Sequence, residues 1–154
     1  MEQHKIETIP FELTIVGKGY RVKTNEAFQT ISALWDHAKK DGFMQKLIDL
    51  SWERPKCTLE GLLGVCGKEA KITDEEFIYF MGVRYEGEVP SDMQCMTISH
   101  DTWAVISNVT EAWKQLYEWL PSSQYELANA PCIECYYAPN HLPESELWVP
   151  VIRK

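Results

Sequence analysis

The chain has 154 residues, 45% hydrophobic and 25% charged. That composition predicts one globular domain able to remove roughly 68 to 70% of its unfolded surface from water, and excludes collagen-like, disordered and mini-protein classes. The net charge is −8, and residues 86–154 carry ten acidic but only three basic groups, so a phosphate backbone would be repelled and no direct nucleic-acid binding is expected. No apolar run reaches the 18 residues of a membrane span, and the opening MEQHKIETIP lacks the apolar core of a signal peptide. A cytoplasmic protein with no membrane partner is the expectation. The five cysteines, Cys57, Cys66, Cys95, Cys132 and Cys135, are odd in number and irregularly spaced, which suits reduced thiols. Cys132 and Cys135 form a C-x-x-C without a second ligand pair, since His141 stands alone in its segment, so neither a metal site nor a cofactor is expected.

In chain order, Phe11–Val22 predicts a strand with a bulge or bend at Gly17 and Gly19. Asn25 offers an N-cap for a helix over Glu26–Lys40, where Ala27, Ile31, Leu34 and Ala38 form one stripe and Lys39 and Lys40 suit the C-terminal dipole. Residues 43–57 are ambiguous, with apolar Met44, Leu47, Ile48 and Leu50 running into Pro55. Strands follow at Thr58–Cys66, Glu76–Arg84, Met93–Ile98 and Thr102–Ser107. A helix over Val109–Leu120 is stopped by Pro121-Ser122-Ser123, and two last strands run Cys132–Tyr137 and Glu146–Ile152. The order strand, helix, strand, strand occurs twice, over about 6–85 and 92–154, and both helices open on a cap, acid, alanine, aromatic sequence. The expected fold is α+β: a single domain of duplicated βαββ units, an antiparallel sheet with helices on one face and a central ligand cleft.

No G-x-S-x-G, H-E-x-x-H, P-loop or G-x-G-x-x-G is present. His4, His37, His100 and His141 sit near a terminus, on a helix or in turns, as surface histidines do. What stands out is six Trp and seven Tyr, several interleaved with acids. Alternation puts Cys132, Glu134 and Tyr136 on one face of their strand, and Leu147, Val149 and Val151 on a face suited to lie under a helix. Pairing 134 with 148 and 136 with 146 would gather Glu134, Tyr136, Glu146 and Trp148 into one acidic, aromatic patch. Such a patch is either a solvated sheet face or a cleft where a carboxylate and rings receive a cation or planar ligand, each ring contributing about 0.5–2 kcal/mol. On the second helix Trp113, Leu116 and Tyr117 share a stripe that suits a core as readily as a ligand wall, with Glu118 and Trp119 off it.

These C-terminal residues carry a family resemblance. Glu111-Ala112-Trp113 through Tyr117-Glu118-Trp119-Leu120-Pro121-Ser122-Ser123, Tyr125-Glu126, Pro131-Cys132-Ile133-Glu134-Cys135-Tyr136 and Ser145-Glu146-Leu147-Trp148-Val149-Pro150-Val151 resemble the GyrI-like effector-binding domain, the ligand-sensing module of AraC-type and MerR-type multidrug regulators. The likeness extends back through Phe77–Val83 and Leu34-Trp35. It implies two βαββ units around a cleft, and lipophilic, often cationic ligands held against aromatic rings and a buried glutamate, placed at Glu134. The candidate ligand-binding residues are then Glu134, Tyr136, Trp148, Trp103, Trp113, Tyr117, Trp119, Tyr79 and Glu146. The first strand begins within a dozen residues of Met1, so no helix-turn-helix is expected ahead of it. Two other roles follow from the resemblance: hydrolysis of cyclopropane-bearing DNA alkylators with Glu134 or Glu118 as general base, and a protein partner, gyrase or a transcription regulator.

Overall fold

The computed structural model describes residues 4–53, 59, 61–67, 75–136 and 145–154. The elements are β1 (His4–Thr8), β2 (Leu13–Lys23), α1 (Ala27–Asp41), α2 (Phe43–Glu53), β3 (Leu62–Gly67), β4 (Glu76–Arg84), β5 (Gln94–Ile98), β6 (Thr102–Ser107), α3 (Val109–Trp119), β7 (Tyr125–Leu127), β8 (Pro131–Tyr136) and β9 (Ser145–Arg153). This is an α+β fold built on antiparallel sheet. Cys57, Tyr137, His141 and residues 54–58 lie outside the described residues.

Both predicted helices form, the first with a start shifted by one residue. A 3-10 turn over Thr24–Glu26 precedes α1, so Asn25 is not its cap and Glu26 takes that position without a side-chain hydrogen bond. Gly42 ends α1 at φ 87°, a left-handed geometry that glycine adopts without a Cβ clash. The chain re-enters a helix at once, with the Asp41 carboxylate accepting the Phe43 N–H at 2.9 Å. Part of the ambiguous connection is therefore α2, whose Phe43, Met44 and Leu47 pack with Tyr79, Met81 and Val83 of β4.

The sheet order is β1-β6-β9-β8-β3-β4-β2-β5, with β7 beside β9. Read from either end, each half is an outer strand, a strand leading into a helix, and a hairpin that ends at the centre, where β3 meets β8. The outer strands are exchanged. β1 precedes β2 in the chain but pairs with β6, while β5 precedes β6 but pairs with β2. Of the bulge or bend expected in β2, a bulge is absent: the ladder with β4 runs unbroken from Ile15 opposite Arg84 to Lys23 opposite Glu76. Gly17 faces Gly82 there, and a side chain at either would strike the other strand's backbone. The glycines serve close approach.

All three helices lie on one face of the sheet. α1 and α2 cover β2 and β4, and α3 covers β6 and β9 through Ala112 and Leu116 against Ala104, Ile106, Leu147, Val149 and Val151. The opposite face buries a cluster including Leu13, Ile15, Val65, Phe80, Trp103, Ile133, Cys135 and Trp148, joined by Ile9 and Leu59 from connecting segments and, among the described residues, by no helical one.

The β8–β9 register corrects the expected one by a single residue. Ile133 is opposite Trp148, Glu134 opposite Leu147, and Cys135 opposite Glu146. Because side chains alternate, that one step moves Trp148 and Glu146 to the face away from Glu134 and Tyr136.

Candidate ligand crevice over the central strands

The helical layer is divided, with α1 and α2 over one half-sheet and α3 over the other, and the central strands β3 and β8 lie between them. Glu134 sits there on β8, directly opposite Gly64 of β3. Its residue keeps only 8% of its surface exposed.

Three aromatic side chains from three elements converge on this carboxylate. The Tyr79 hydroxyl donates to Oε1 at 2.9 Å and the Tyr136 hydroxyl donates to the same oxygen at 3.1 Å. The Trp113 indole N–H, from α3, donates to Oε2 at 3.1 Å. A fourth ring fixes the first: Trp35 of α1 donates its indole N–H to the Tyr79 oxygen at 3.0 Å and meets Tyr136 edge-on, with centroids 6.0 Å apart and planes at 69°. Tyr79 reaches Glu134 by crossing Gly64, where a Cβ would collide with its hydroxyl.

The donors are neutral, and among the described residues no basic side chain pairs with Glu134. Burial pushes its carboxyl above the ordinary value, while the bonds from Trp113, Tyr79 and Tyr136 pull the other way. Both phenols are raised by burial and by the neighbouring carboxylate, so they remain donors. Cys66 and Cys132, opposite each other on the same face, are also held as thiols: burial raises Cys66 strongly and pushes Cys132 up to about 12.

Of the residues expected from the sequence, the structure brings together Glu134, Tyr136, Trp113 and Tyr79. The others are elsewhere. Trp148 packs with fully buried Trp103 on the opposite face, rings 6.4 Å apart, and its indole donates to Glu146 at 3.2 Å. Tyr117 is 68% exposed, Glu118 is exposed, and Trp119 packs against Tyr125 at 6.4 Å. A helix presents only part of its circumference to the sheet, and Ala112 and Leu116 occupy that part of α3. Sequence reasoning missed Trp35 and Gly64 as parts of the site. Trp35 had a detectable signal, one helical turn beyond Ile31 on the buried side, whereas the need for glycine at 64 exists only once β3 lies under Tyr79. Cys132 and Cys135 point to opposite faces, one into the α3 cluster and the other into the far core. Among the described residues no group of three or more metal-binding side chains occurs, and no helix is long and apolar enough to cross a membrane.

Solved structures share this fold at low identity. SAV2435 bound to tetraphenylphosphonium superposes with a TM-score of 0.80 at 19% identity, covering 99% of this chain and 94% of that one. A putative bacterial transcription regulation protein from Staphylococcus aureus MU50 gives 0.72 at 20% identity, covering 96% and 97%. A hydrolase from Listeria innocua gives 0.51 at 11%, covering 97% and 92%. A comparison with curated protein sequences gives no match. A sequence model of the GyrI-like small molecule binding domain matches residues 2–152, and the chain, with its buried glutamate between two βαββ halves, belongs to that family.

Proposed function

We propose that the chain binds lipophilic organic cations in the crevice between α1 and α3, with Glu134 as the counter-charge. One observation carries this reading: a buried carboxylate ringed by aromatic side chains has three neutral donors and no basic partner among the described residues. Taking a carboxylate out of water costs several kcal/mol, and neutral hydrogen bonds offset this without supplying the opposite charge. A lipophilic cation supplies it and presents apolar surface to Trp35, Trp113 and Tyr136, each only partly buried. A cation of that kind is bound in the SAV2435 structure.

A hydrolase with the same fold raises a second reading, in which Glu134, made more basic by burial, activates water. Its three donors hold the carboxylate in place, and Glu118 is exposed on α3, so no second catalytic carboxylate stands beside it among the described residues. Binding is the better-supported role.

Titration calorimetry with tetraphenylphosphonium and neutral triphenylphosphine oxide tests the proposal. Glu134→Gln should weaken the cation about tenfold or more, the scale of one charge-assisted contact, and leave the neutral ligand within about twofold. Equal loss for both ligands would contradict the electrostatic role, and consumption of a cyclopropane-bearing electrophile over many turnovers would favour the hydrolase.

A further inference from the structure

The hydrogen bonds on Glu134 restrict which cations fit against it, an inference that rests on the crevice being a cation site. A carboxylate offers about four lone-pair positions. Two on Oε1 receive Tyr79 and Tyr136, and one on Oε2 receives Trp113. Two of the three are not readily released. The Tyr79 oxygen accepts from Trp35, whose indole can only donate, so the Tyr79 proton is directed to Glu134. Trp113 is likewise donor-only. A ligand therefore finds one open position on Oε2 and, beside it, the oxygen of half-buried Tyr136.

We propose that the crevice selects organic cations with at most two N–H, namely quaternary ammonium and phosphonium, tertiary ammonium and secondary ammonium, over primary ammonium and guanidinium of the same apolar bulk. A primary ammonium brings three donors and a guanidinium five. At least one N–H would then face ring surface without an acceptor, and an unpaired buried donor is costly. A quaternary centre has no such requirement, and ring faces attract its charge without an acceptor.

The test is an N-methylation series on one scaffold, (4-phenylbenzyl)ammonium and its dimethyl and trimethyl forms, titrated against the wild type and Trp113→Phe. The wild type should prefer trimethyl to primary by about tenfold or more. Trp113→Phe keeps a ring but frees a second position on Oε2, so the preference should shrink several-fold. The ligands' own hydration is the same for both proteins and cancels in that comparison. Equal affinity across the series, or an undiminished preference in Trp113→Phe, would overturn the proposal while leaving the cation site standing. If no member binds, or if Glu134→Gln leaves trimethyl binding unchanged, the cation site itself fails and the selectivity with it.

Discussion

Glu134 is stable in its position because three donors partly replace the water it has lost, each worth about 1.5–3 kcal/mol against a desolvation penalty of several. Its carboxyl pKa stays above the ordinary value, which has a consequence for pH. An acid whose folded pKa is raised stabilises the fold below its unfolded pKa, and that contribution is lost as pH rises through the folded value. Wherever Glu134 is ionised, the ligand-free protein carries the cost of that buried charge. Tetraphenylphosphonium should raise Tm more at a pH above the Glu134 pKa than below it, and a shift independent of pH across that range would contradict pairing with the ionised form. Gly64 allows a second test. Gly64→Ala places a methyl where the Tyr79 hydroxyl lies, so it should cost about 1–3 kcal/mol in chemical denaturation and weaken the cation as well; an unchanged affinity would mean that Tyr79 does not position Glu134. The glutamate itself was singled out by the family resemblance, while alternation alone left its face open between solvent and a cleft. Its partners were less legible, because Trp35 and Gly64 meet it only through strands and helices distant in sequence.

At the level of elements, two helices and most strands follow from periodicity, whereas β1 and β7 were not expected; the faces of β8 and β9 were each assigned correctly within their own strand. Their relative register was not. Register is read from a solvent-facing side, and β8 is buried from Pro131 to Cys135 and β9 from Leu147 to Val151, so neither strand shows a polar face to align. α2 was obscured by Pro55, although Phe43, Met44, Leu47 and Ile48 already have helical spacing. The corrected register makes a prediction. Trp103 and Trp148 belong to the far core, so Trp103→Phe or Trp148→Phe should destabilise by about 1–3 kcal/mol while the folded protein keeps its cation affinity. A tenfold loss of affinity in either variant would place the ligand on the wrong face.

For the whole molecule, the topology explains why the site lies where it does. Two similar halves join through β3 and β8, and the helices pack mainly on β2 and β4 in one half and on β6 and β9 in the other, so helical side chains reach the junction from both sides. A carboxylate at that junction, tied through Tyr79 and Trp35 to α1 and through Trp113 to α3, bridges the two halves. The sequence showed the repeated element order and the aromatic excess; it could not show the exchange of β1 and β5, because pairing between distant strands leaves no local pattern. The most direct measurement is a crystal structure with tetraphenylphosphonium bound. Its phosphorus should lie between α1 and α3, within about 6 Å of the Glu134 carboxylate, the range over which opposite charges act strongly. A cation lodged instead beside Trp103 and Trp148, or on the outer surface of α3 near Tyr117, would contradict a cation site at Glu134.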